Sequence, residues 1–103
     1  MALTISARDN ARKKVWEIKL EGEVDVSNAH LFKKQLEALL GEIKQDIEID
    51  LADLSYIDST GLGVIIGVYG SIKKDGYSVK LTNPRDNVKK LLNISGLNKI
   101  LCL

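Results

Sequence analysis

The chain has 103 residues, enough for one hydrophobic core and too few for two, so it reads as a single domain spanning 1–103. Leu, Ile and Val supply 33 of those residues and aromatics only 5%, which excludes intrinsic disorder and calls for a core of branched side chains. Fifteen basic side chains against fourteen acidic ones leave a formal charge of +1, removing the electrostatic basis for nucleic acid or an anionic membrane as the main partner.

Apolar periodicity divides the chain into elements. Leu3 and Ile5 alternate with Thr4 and Ser6; beyond a polar turn spanning 7–13, Trp16, Ile18 and Leu20 alternate with Glu17, Lys19 and Glu21, so the two strands form a hairpin. Leu31, Phe32, Leu36, Leu39, Leu40 and Ile43 then recur at helical spacing, with Ser27 as N-cap and Gly41 as terminator. Ile47, Ile49 and Leu51 give a third strand that runs on toward Leu54 and Ile57. A second helix begins at Asp58-Ser59-Thr60 and runs to Lys73-Lys74-Asp75-Gly76, where two cations complement the dipole and Gly76 supplies a left-handed cap. Tyr77, Val79 and Leu81 form a fourth strand. Asn83-Pro84 marks the start of a third helix, with proline at its first position, carrying Val88, Leu91, Leu92 and Ile94 and ending at Gly96; residues 100–103 form a last short strand.

The order β-β-α-β-α-β-α-β is an α/β fold with a mixed sheet of four to five strands, parallel where helices intervene. Strands two, three and four alternate apolar with charged or hydroxyl residues, whereas a sheet covered on both faces has continuously apolar strands. One face is therefore solvated, and the helices pack mainly on the other in an open two-layer arrangement.

Few patterns carry catalytic chemistry. A single Cys, Cys102, and a single His, His30, supply neither a disulfide framework nor a structural zinc site; Cys102 reads as a small strand hydrophobe in a reducing compartment and His30 as a solvated helix residue. The longest apolar run, Leu62 to Val68, is far shorter than the ~20 residues that span a bilayer, and the first residues lack the pattern of a secretory signal. Ser59 lacks the first glycine of a G-x-S-x-G elbow, and Gly61, Gly63 and Gly67 miss the dinucleotide fingerprint by one residue. Gly63, Gly67 and Gly70 share one face of the second helix, a spacing that suits close backbone packing against a neighbour. The basic pairs are scattered over separate elements and suit a solvated surface.

Residues 54–63, Leu-Ser-Tyr-Ile-Asp-Ser-Thr-Gly-Leu-Gly, stand out. One N-cap needs one of Asp, Ser or Thr; here Asp58, Ser59 and Thr60 come in succession before a glycine-rich first turn. A hydroxyl at a helix N-terminus is also well placed to carry a phosphate, because free amides and the positive dipole end tolerate a dianion. The fold can accept that group while its surface changes by a charge of about −1.5 to −2, enough to reverse the sign of the chain's net charge.

Asp58-Ser59-Thr60-Gly61-Leu62-Gly63-Val64, together with Glu21-Gly22-Glu23-Val24-Asp25 and Leu92-Asn93-Ile94-Ser95-Gly96-Leu97, resembles the bacterial anti-sigma factor antagonists, which are single STAS domains. The resemblance covers essentially the whole chain and implies a STAS-type fold and a cytoplasmic, non-enzymatic partner-switching protein, monomeric when free. It implies that the unphosphorylated form binds an anti-sigma factor serine kinase and frees the sigma factor. The kinase binds the ATP and Mg²⁺, so this chain needs no cofactor of its own; phosphorylation of the serine matching Ser59 ends binding, and a PP2C-type phosphatase restores it. Partner contacts are then expected from Asp25, Asp58, Ser59, Thr60, Gly61 and Leu62, with Asp25 otherwise an ordinary helix lead-in and Leu62 either exposed to the kinase or facing the core. A STAS scaffold in a stress-sensing complex, or a regulator of a membrane transporter, is the alternative role, and a weak nucleotide hydrolase at Gly61 a remote one. Many members continue into a C-terminal helix; without one, an uncovered apolar patch would favour self-association.

Overall fold

The computed structural model describes residues 2–102. Strand β1 (Leu3–Asn10) pairs antiparallel with β2 (Val15–Val24), from Leu3 opposite Gly22 to Asn10 opposite Val15. Residues 7–10, expected in the turn, belong to the strand instead. Cross-strand chemistry outweighs their polarity: the Arg8 guanidinium pairs with Glu17 directly opposite, and Asn10 Nδ2 donates to Glu17 at 3.3 Å.

Helix α1 (Ala29–Glu42) returns the chain to β3 (Asp46–Ile57), α2 (Ser59–Lys73) to β4 (Val79–Thr82), and α3 (Asp86–Ile94) with a short 3₁₀ turn (Leu97–Ile100) to β5 (Leu101–Cys102). The sheet order is β1-β2-β3-β4-β5, and every pair after the hairpin is parallel. All crossovers step the same way along the sheet. With right-handed connections, a walk that never reverses lays its helices on one face.

Burial agrees with this layering. Ile47, Ile49 and Leu51 are buried while the intervening Glu48 and Asp50 are half-exposed. On the solvated face Lys19 Nζ lies 2.8 Å from Asp53. The core joins Trp16, Ile18 and Leu20 of β2 to Phe32 and Leu36 of α1, Ile65, Val68 and Ile72 of α2, and Val88 and Leu92 of α3. Trp16 fills that core with its ring and donates from Nε1 to the Ile43 carbonyl at 2.9 Å, satisfying its polar edge.

Several element ends differ from the sequence expectations. Ser27 does not cap α1; the N-cap is Asn28, whose side chain is used elsewhere, and the helix runs through Gly41 to Glu42. Leu31 and Ile43 are 57% and 43% exposed, because the buried stripe of α1 is narrower than its apolar pattern. Helix α3 starts two residues after Pro84. Asn83 sits in the left-handed region (φ 55°) and Arg85 is extended, which lets Arg85 Nε donate to the Ala52 carbonyl and Asn87 Nδ2 to the Ser55 carbonyl. At the far end Gly96 (φ 80°) stops the helix as expected, while Ile94 is 83% exposed. The last strand is confined to Leu101–Cys102 after the 3₁₀ turn; Leu103 and the surroundings of the Cys102 side chain lie outside the described residues.

Candidate functional site at the carboxyl ends of the central strands

Parallel pairing brings together two segments far apart in sequence. Val24 and Ile57 are register partners at the ends of β2 and β3, and Asp58 N–H donates to the Val24 carbonyl at 3.1 Å. The next residue of each strand is an aspartate. Asp25 and Asp58 thus leave the sheet side by side at its carboxyl edge, the edge at which open parallel sheets generally carry their sites.

Asp58 caps α2. Its Oδ1 accepts from Thr60 N–H at 2.9 Å, from Gly61 N–H at 3.1 Å and from the Thr60 hydroxyl. The Thr60 hydroxyl is the largest cause holding the Asp58 carboxyl below its ordinary value; N–H groups of Gly61, Thr60 and Val26 assist, against partial burial. Asp25 is organised by its own turn. Its Oδ1 accepts from the Ser27 hydroxyl and from Ser27 N–H at 2.9 Å, which lower its pKa, while the neighbouring Asp58 opposes that shift. Buried Asn28 braces the loop from behind, accepting from Asp25 N–H at 3.0 Å and donating to the Glu23 carbonyl at 2.9 Å. The site therefore holds two ionised carboxylates on rigid backbone.

The two hydroxyls after Asp58 are not equivalent. Thr60 is tied to the cap, whereas Ser59, exposed as the first residue of α2, uses its hydroxyl in no hydrogen bond among the described residues. Ser59 Oγ is free to act as an acceptor group, at a helix end whose amides and dipole suit an anion.

Gly61 and Leu62 turn inward. Gly61 is buried, and a Cβ there would lie 2.6 Å from Ile57 Cγ1 and 2.7 Å from Val24 Cγ1. Leu62 is 7% exposed and belongs to the core, so the core-facing alternative is the one realised; the first turn of α2 offers Ser59 and Thr60 to solvent and Gly61 and Leu62 to the sheet. Gly63, Gly67 and Gly70 do not pack closely as their spacing suggested: a Cβ at each would meet nothing within 4 Å. Gly63 and Gly67 instead line an open groove of about 460 Å³ between α1 and α2, with Lys33, Glu37 and Leu40 opposite and Thr60 at one end. No periodicity in the sequence marks Val26, exposed at 77%, or the bracing Asn28, although the Asp-x-Ser-Asn order carries an Asx-turn signal as well as a helix-cap one.

Among the described residues no helix is long and apolar enough to cross a membrane, and no cluster of His, Cys, Asp and Glu is placed to hold a metal ion. The STAS-domain profile matches residues 7–103. The chain is 40% identical over 85 residues to an anti-sigma-B factor antagonist of Bacillus subtilis, covering 82% of this chain and 77% of the relative. Its fold is similar to the unphosphorylated anti-sigma factor antagonist SpoIIAA (TM-score 0.86, 22% identity, 96% of this chain and 86% of the other). It is also similar to the phosphorylated form of the Bacillus cell-fate determinant SpoIIAA (TM-score 0.78, 22% identity, 96% and 89%). With the motif at the head of α2, the fold and the length of the match in agreement, the chain belongs to the STAS-domain family of bacterial anti-sigma factor antagonists.

Proposed function

We propose that this chain is a binding module that captures an anti-sigma factor through the Asp25–Ser59 edge and is switched off by phosphorylation of Ser59. The observation that carries the reading is the exposed Ser59 hydroxyl, without a hydrogen-bond partner among the described residues, beside a Thr60 hydroxyl already committed to Asp58. The partner is a serine kinase that brings its own ATP and Mg²⁺, a PP2C-type phosphatase reverses the mark, and the chain works in the cytoplasm as a regulator of transcription and not as an enzyme. The solved phosphorylated form of a protein with this fold supports the view that the architecture tolerates the modification.

Electrostatics gives the switch its sign. A phosphate of about −1.5 to −2 placed beside Asp58 and Asp25 adds to charge already present, so a partner contact at this edge loses complementarity. A loss of roughly 2 to 5 kcal/mol, about 30-fold to several thousandfold in affinity, suffices for mutually exclusive complexes. The helix itself is not expected to melt, because negative charge in the first turn of α2 is favoured by the dipole.

Intact-mass measurement after incubation with the cognate anti-sigma kinase, ATP and Mg²⁺ tests the assignment. One phosphate is expected on the wild-type chain and none on Ser59→Ala, which still binds the kinase; normal phosphorylation of Ser59→Ala would sink the site. Calorimetry on Ser59→Glu should show weakened binding with an unchanged unfolding midpoint.

A further inference from the structure

Among the described residues, Val26 and Ile94 are the large apolar side chains standing furthest into solvent, at 77% and 83% exposure. Ile94 sits at the last turn of α3. Val26 sits inside the site loop, between Asp25 and Ser27. Asp58 N–H donates to the Val24 carbonyl at 3.1 Å, which ties the end of β2, just before this loop, to the cap of the helix that begins with Ser59.

The loop presenting Val26 is fixed on every side. Asp25 N–H donates to Asn28 Oδ1, the Asp25 carboxylate accepts from Ser27 twice, and the Asp25 carbonyl accepts from Asn28 N–H at 3.1 Å and Ala29 N–H at 2.8 Å. An exposed apolar side chain on a rigid turn is a preorganised contact, since little backbone entropy remains to be lost on binding. The carboxylates of Asp25 and Asp58 flank it, so the complementary surface is apolar at its centre and cationic at its rim.

We infer that Val26 is the apolar anchor of the partner surface, seated in a shallow apolar pocket of the anti-sigma factor whose rim carries Lys or Arg. The inference rests on the proposed function and adds a contact within it. It also places the anchor in the loop that leaves β2 beside the start of α2, where Val24 and Ile57 are register partners, so a phosphate on Ser59 enters the rim of the pocket that receives Val26.

Calorimetric titration of the cognate anti-sigma factor with wild type, Val26→Ala, Val26→Ile and Ser59→Glu tests it. Removing two buried carbons should weaken binding about tenfold, equally at low and high salt because the lost contact is uncharged. Val26→Ile should bind within about threefold of wild type, and all variants should unfold at the wild-type midpoint. If Val26→Ala binds like wild type while Ser59→Glu does not, the anchor is overturned and the switch stands. If Val26→Ala is weakened and Ser59→Glu binds normally, the anchor is supported and the phosphate switch falls. Failure of the wild-type chain to bind, or wild-type affinity in both variants, overturns both.

Discussion

An alanine methyl at position 61 would press against Ile57 and Val24, at 2.6 and 2.7 Å from their Cγ1 atoms, and both side chains are fully buried. Neither β-branched residue has a rotamer to which it can retreat cheaply. Gly61→Ala is expected to destabilise the fold by about 1 to 3 kcal/mol in urea unfolding; a wild-type midpoint would show that α2 can lift off the sheet. Asp58 acts on the same few atoms through charge. Its carboxyl is held below the ordinary 3.8, chiefly by the Thr60 hydroxyl. A group whose pKa is lowered by folding contributes stability that is complete above its unfolded value and is lost as pH falls through its folded value. Asp58→Ala should therefore cost about 1 kcal/mol at neutral pH, as lost caps do, and the gap to wild type should narrow below pH 3.8. A gap of constant size down to strong acid would mean that the charge of Asp58 is not what it contributes.

At the scale of elements, α2 is unusual in carrying Gly63, Gly67 and Gly70 where no neighbour demands them. Each weakens the helix by leaving the unfolded backbone more entropy to lose. Gly67→Ala should raise stability by about 0.5 to 1 kcal/mol, read as a higher urea midpoint; a lower one would reveal a close packing contact with α1. The periodicity of α2 was legible in the sequence because its apolar stripe faces a sheet directly. Its glycines were not, since spacing reports that residues share a face and cannot report what stands opposite. The same limit applies to α1, where Leu31 fits the helical pattern yet points to solvent, and to α3, whose start is set by the Arg85 and Asn87 bonds to β3 carbonyls and not by Pro84.

For the whole molecule, the two faces of the sheet should respond differently to truncation. Ile49→Ala removes a fully buried side chain and should cost about 2 to 5 kcal/mol. Its neighbour Glu48 points to the solvated face and should change stability by no more than about 0.5 kcal/mol when replaced by alanine. Comparable losses in urea unfolding would contradict the two-layer arrangement. By itself the sequence determined the order of elements, the solvated face and the segment bearing Ser59, because period, capping chemistry and charge alternation are local properties. Tertiary structure alone decided that Asp25 meets Asp58, that the Thr60 hydroxyl is occupied while that of Ser59 is free, and that Leu62 faces inward as Val26 faces out. Those facts depend on the parallel register of Val24 with Ile57, a pairing between strands separated by a whole helix, and no local pattern encodes which residues such a pairing sets side by side.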